Sequence, residues 1–219
     1  MIVRKKAPVG PENPAMPERE APRAYHHGDL RRALLDTALE LFAARGGFDF
    51  TFRELARAAG VTHQAPYRHF AGKAELLTAL REEGLAELAA REEAALTSDP
   101  SPDARARVTA LGEAYVRFAL DEPLLFRLVM SHPLEASEAD AVKGSKSYRL
   151  LERTLAEAQA EGVVRKDLSA KELALGAWGL VHGMASLLAS GRLPKNPARI
   201  AGYVGLLSTL FFQGADARD

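Results

Sequence analysis

The chain has no cysteine among its 219 residues. Disulfides and thiolate metal sites are therefore excluded, and the composition fits a reducing cytoplasm. There is also no excess charge of either sign: 29 Lys and Arg balance 29 Asp and Glu. A nucleic-acid-binding chain recognisable by bulk charge would be basic, so any such contact must rest on local positive charge. Arg53, Arg57, Arg68 and Lys73 fall in one short stretch that supplies it. No segment alternates apolar and polar residues over a useful length, which excludes a sheet. The stretch Met1–Glu20 is proline-rich and charged, with no apolar run, so no signal peptide is expected. Serines and histidines show neither nucleophile-elbow nor metal-helix spacing, so no catalytic site, metal or cofactor is expected.

The most informative stretch runs from Thr51 to Phe70, TFRELARAAGVTHQAPYRHF. Thr51 followed three places later by Glu54 is a capping box that opens a helix. Phe52, Leu55, Ala56 and Ala59 form one apolar stripe at helical spacing. Gly60 ends that helix, because glycine takes the left-handed conformation without a steric penalty. Val61 and Phe70 return to the core. Thr62 is placed to cap a second helix of about eight residues, with Pro66 in or near its first turn. That second segment presents Thr62, His63, Gln64, Tyr67, Arg68 and His69 to solvent. So little apolar surface does not stabilise a short helix by itself. A polar face of this kind suits a major groove, so the pattern reads as helix-turn-helix DNA binding.

These residues resemble the TetR family of bacterial transcriptional regulators. The matching positions are Thr51, Leu55-Ala56, Ala59-Gly60-Val61, Thr62, Tyr67, His69-Phe70 and Lys73, within a resemblance covering roughly residues 28 to 80. Gly72 departs from the usual Ser or Asn, although glycine still caps a helix acceptably. A later segment, Ala177-Trp178-Gly179-Leu180-Val181-His182-Gly183, resembles the Trp–His–Gly pattern of one C-terminal subgroup. The resemblance implies an operator-binding module followed by helices that enclose an effector cavity.

The whole chain reads as all-α. Residues 1–22, with five prolines, form an expected disordered arm. Residues 23–72 form the three-helix DNA-binding domain, and 73–219 the ligand-binding and dimerisation domain. The first helix opens at Gly28 or Asp29 and ends at Gly46-Gly47. A helix starts near Lys73, where the lysine opposes the helix dipole by ~0.3–1 kcal/mol unless a phosphate lies nearby. Ser98–Pro102 breaks the chain. Further helices are expected over about 103–120, from Pro123, and over about 137–161, 170–190 and 197–213. The runs Leu173–Gly191 and Ile200–Phe212 carry no formal charge. A helix apolar all round has to be covered all round. The second run is too short to span a bilayer, so both are read as packing on their own core and on a second copy. The expected assembly is a homodimer sealed by a four-helix bundle, with Gly176, Gly179 and Gly183 permitting close approach and no membrane partner.

Tyr115, Phe118, Phe126, Met130, Tyr148 and Trp178 are candidate ligand-binding residues. Such a set forms either ordinary core or a pocket wall, and the TetR resemblance favours a pocket. His182, one turn from Trp178, is read either as a core or interface histidine or as a ligand contact. The reading as a whole is a homodimeric, ligand-responsive regulator of the cytoplasm. It acts as a repressor and is released from a palindromic DNA operator by a small apolar effector. His63, Gln64 and Tyr67 would meet base edges or the adjoining backbone. Thr51, Thr62, His69 and Lys73 would hold phosphates, with Arg68 in either role. The alternatives are an activator, or a helical carrier or enzyme that has lost DNA binding.

Overall fold

The computed structural model describes residues 30–98, 103–131 and 145–215. The expected arm at 1–22, the opening of the first helix and residues 132–144 lie outside them. Eight α-helices are present among the described residues, with no strand, so the chain is all-α as expected. They are α1 Leu30–Arg45, α2 Phe52–Ala58, α3 Lys73–Ser98, α4 Ala104–Asp121, α5 Pro123–Ser131, α6 Lys146–Ala160, α7 Ala170–Ala189 and α8 Pro197–Ala215. From Arg31 onward the described chain forms one compact unit.

The local signals at the start of the chain act as their chemistry dictates. The Glu54 amide donates to Thr51 Oγ1 at 3.2 Å, and the Thr51 amide donates to Glu54 Oε2 at 2.8 Å. That is the capping box in full. Gly60 has φ +70°. Its N–H reaches the Arg57 carbonyl while Val61 N–H reaches that of Ala56, closing α2 with a Schellman motif. A second capping box, Ser169 with Glu172, opens α7.

One element differs from expectation. No α-helix follows the Gly60 turn; Thr62–Ala65 form turns, and Pro66–Arg68 a single 3-10 turn. Pro66 has no N–H to offer the Thr62 carbonyl, which takes the Ala65 N–H instead at 2.9 Å. With Ala65, Pro66 and Phe70 buried and the rest exposed, the segment has too little apolar contact to carry a longer helix. Thr62 therefore contributes a backbone carbonyl where a side-chain cap was expected: the 3-10 turn begins at Ala65, with no side-chain cap. Val61 is only half-buried, while Phe70 is 2% exposed and seated in the core as expected.

Helix α3 spans 26 residues and serves both halves of the molecule. Its first turns bury Leu76, Leu77 and Leu80; its later turns bury Leu88, Ala89 and Glu92. Arg32 of α1 donates to Glu83 at 2.9 Å, joining α1 to the middle of α3. The C-terminal helices hold two apolar clusters, one around Leu155, Ala174 and Phe212, the other around Phe118, Phe126 and Leu188. Trp178 packs against both.

Helix α5 lies close on α3 at Gly84. A Cβ placed there would come within 2.7 Å of Val129 Cγ2, a buried, stiff side chain. Substituting Gly84→Ala gains helix propensity of about 1 kcal/mol but overpacks this crossing by ~1–3 kcal/mol. We expect a net loss of about 1 kcal/mol in urea unfolding, and a larger loss for Gly84→Val. A more stable Gly84→Ala variant would show that α5 yields freely at this crossing.

Candidate DNA-contact face and effector cavity

The candidate DNA-contact side chains gather on one surface of the N-terminal module. Thr62, His63, Gln64, Tyr67, Arg68 and His69 are all exposed. Tyr67 is 59% exposed, yet its ring lies 5.0 Å from that of Phe52. That contact fixes the ring while leaving its outer face to solvent. Thr51 shares a shallow depression with Arg53, Arg57 and His63. Its hydroxyl is already engaged, donating to Glu54 Oε2 at 2.9 Å. Lys73 is half-buried at the start of α3, its ammonium 5.1 Å from the centre of the Phe50 ring. Glu75 accepts the Ala71 amide at 2.5 Å in front of that helix.

Beneath this face, Arg45 donates to Glu54 Oε1 at 2.6 Å. The Arg45 guanidinium and then the Thr51 hydrogen bonds hold the Glu54 carboxyl at about 2, well below its usual range. Glu54 thus stays ionised throughout the pH range in which DNA binding is measured, and the cap of α2 is fixed there.

The second site is a cavity of about 70 Å³, partly open to solvent and lined by α3, α4, α5, α6, α7 and α8. Of the candidate ligand residues, Tyr115, Met130, Tyr148 and Trp178 line it. Phe118, Phe126 and His182 are not in its wall. Phe118 is fully buried in the core, and Phe126 meets Tyr115 edge-on at 5.9 Å. His182 stacks on Trp178 at 5.4 Å, and its Nδ1 lies 3.0 Å from the Tyr115 hydroxyl. Burial pushes His182 below its ordinary value and Tyr115 above its own. His182 therefore backs the cavity wall and braces Tyr115, uniting the core role with a position beside the site.

The sequence reading missed Glu92. It sits on α3, is 4% exposed, and lines the cavity. Ser147 hydrogen-bonds its carboxyl, but Oε2 has no partner. Its periodic position among Leu85, Leu88 and Ala89 was the available signal, an acid on the apolar stripe of a helix. Burial raises the Glu92 carboxyl to about 7, with the Ser147 hydrogen bond opposing. The folded protein then holds this proton where the unfolded chain has lost it. Stability should fall as pH rises from about 4.5 to about 7, by on the order of 3 kcal/mol, and level off above. Glu54, depressed on folding, adds a slope of opposite sign only at the acid end of that window, near its unfolded value, and it does so equally in wild type and Glu92→Gln. Urea unfolding of wild type against Glu92→Gln should show the slope in the first and not in the second. Parallel pH profiles would refute the assignment.

Comparison with known proteins agrees with this geometry. The family described as bacterial regulatory proteins, tetR family, matches residues 34–80, and the tetracyclin repressor-like C-terminal domain matches residues 108–205. The HTH-type transcriptional regulator SrpR of Pseudomonas putida is 48% identical over 52 residues, covering 24% of this chain and 24% of that protein. The HTH-type transcriptional regulator AcrR of Shigella flexneri is 28% identical over 166 residues, covering 71% of this chain and 76% of its own length. A solved structure of a protein of unknown function from Rhodococcus sp. RHA1 aligns with TM-score 0.74 and 38% identity, covering 89% of this chain and 100% of that one. With the helix-turn-helix geometry in the N-terminal module and a helical C-terminal half enclosing a cavity, the chain belongs to the TetR family of bacterial regulatory proteins.

Proposed function

We propose that the protein is a homodimeric transcriptional repressor of the cytoplasm that leaves a near-palindromic operator when a small molecule occupies the C-terminal cavity. The carrying observation is the run of exposed polar side chains from Thr62 to His69 on a segment anchored by buried Ala65, Pro66 and Phe70. An enzyme or carrier that no longer met DNA would have no use for that face. Residues 23–72 serve as the DNA-binding domain in this reading and 73–219 as the effector and dimer domain. His63, Gln64 and Tyr67 reach bases or their backbone; Thr62, His69 and Lys73 reach phosphates, Thr51 through its backbone vicinity, and Arg68 either. Phosphate contacts set register, while base contacts set sequence.

Dimerisation through α7 and α8 is supported by what they leave uncovered. Leu175, Leu180 and Leu187 on α7, with Leu206 and Leu210 on α8, are 41–52% exposed. A Cβ added at Gly176, Gly179, Gly183, Gly202 or Gly205 would meet nothing within 4 Å. Helix α7 is also long and apolar enough, by length and composition, to cross a membrane. A second copy covers the same surface with the soluble helices of this fold.

Signal transfer from cavity to DNA face has two physical supports. Helix α3 runs from Lys73 to the cavity wall at Glu92. Helix α5 puts Met130 in the wall, and Arg127 of the same helix donates to the Gly46 carbonyl at 3.1 Å. An effector acts only through its preference for the conformation that does not fit DNA.

Selection of bound fragments from random DNA should recover a near-palindrome whose affinity falls steeply with salt. Gln64→Ala or Tyr67→Ala should change the selected sequence or abolish specific binding. Lys73→Ala should weaken all duplexes alike and flatten the salt slope by about one unit. A protein with no preference over competitor DNA at low salt would remove the regulator reading. For the assembly, sedimentation should find a dimer at micromolar concentration. Leu206→Asp or Leu210→Asp should break it, since an unpaired charge buried in an interface costs several kcal/mol, ~3–5. A monomeric wild type would contradict the interface.

A further inference from the structure

Glu92 is the charged residue of the cavity wall; no Lys, Arg or His lines it among the described residues. The rest of the wall is apolar or aromatic, with a few hydroxyl groups such as those of Thr109 and Ser208. A carboxyl buried to 4% exposure, with Oε2 unpartnered, is unfavourable for folding unless something completes it. Ser147 satisfies part of the group, and no basic side chain in the wall supplies the opposite charge. Among the described residues nothing supplies the missing partner, and a ligand in the cavity is placed to bring it. Tyr115 and Trp178 share the same wall, and aromatic faces attract cations most strongly where water is excluded.

We propose that the effector is an organic cation, a single ammonium or other positive centre on an apolar body, with its charge on Glu92 and its apolar part against Tyr115, Tyr148 and Trp178. This rests on the reading of the cavity as the effector site and narrows its ligand class. An anionic ligand such as a free carboxylic acid is disfavoured wherever Glu92 is ionised, because it would place like charge beside a buried acid with no compensating base among the described residues of the wall. A purely apolar ligand would fill the space but leave Oε2 unpaired, keeping the desolvation penalty in the complex.

The discriminating pair of probes is 4-phenylbutyltrimethylammonium and its neutral isostere, with carbon in place of nitrogen. The two have the same shape and neither can donate a hydrogen bond from the headgroup, so their difference reports charge alone. Binding to the full chain is followed by calorimetry and by Trp178 fluorescence, Trp178 being the sole tryptophan. The cation should bind at least about tenfold more tightly than the isostere in wild type. In Glu92→Gln that preference should collapse while the isostere binds as well as before or better. Equal affinity of the two probes for wild type, no cation binding at millimolar concentration, or a preference that survives in a folded Glu92→Gln variant would each overturn the proposal. If the variant does not fold, the wild-type comparison still decides, since it needs no substitution. A separate measurement keeps the two readings apart. Charge-selective, Glu92-dependent binding in a protein that prefers no DNA sequence leaves this inference standing and removes the regulator. Operator binding together with indifference to charge does the reverse.

Discussion

The close crossing of α5 on α3 at Gly84 sets the terms for the rest of the molecule. Helix α3 holds the DNA-contact module at one end and the cavity at the other. At 1.5 Å per residue it is roughly 39 Å long. A side chain at position 84 would hold α5 away from it. That close approach lets Val129 and Leu125 pack down on α3, on the helix whose Phe126 meets Tyr115. The same helix α5 carries Met130 of the cavity wall and Arg127 of the interdomain contact.

Around that crossing the polar groups divide into two kinds. Near the DNA face the charges are paired and exposed: Arg45 with Glu54, Arg32 with Asp36 and Glu83. Such pairs contribute little each, ~0–1 kcal/mol, but they orient caps and fix helix ends. In the C-terminal half the polar groups that matter are few and buried. Tyr115, His182 and Glu92 are connected through or beside the same aromatic wall. There the low dielectric strengthens each interaction and raises the cost of any group left without one.

The N-terminal module was readable in the residues because its signals are local. A capping box, a left-handed glycine and a polar face act over fewer than ten positions, and Thr51, Glu54 and Gly60 behave accordingly. The form of the segment after Gly60 was not readable, since the helical pattern there competes with Pro66 and has almost no apolar contact to settle the contest. The seven aromatic, methionine and histidine candidates for the cavity were only half sorted by type. Which side of a buried helix faces a void depends on how six helices meet, and nothing local distinguishes Phe118 in the core from Tyr115 in the wall. Glu92 was overlooked for the opposite reason: an acid in a helix rich in exposed acids looks like solvent-facing surface until the neighbours of that turn are placed.

The Arg127 contact joins the two halves through the main chain. It grips a main-chain oxygen, that of Gly46, and its guanidinium lies 4.8 Å from the centre of the Phe42 ring. A backbone carbonyl is present whatever amino acid occupies the position. The latch between the two halves therefore needs no polar side chain from that loop, only the left-handed Gly46 that presents its carbonyl. Substitutions on the exposed polar face from Thr62 to His69, or in the cavity wall, leave that link in place.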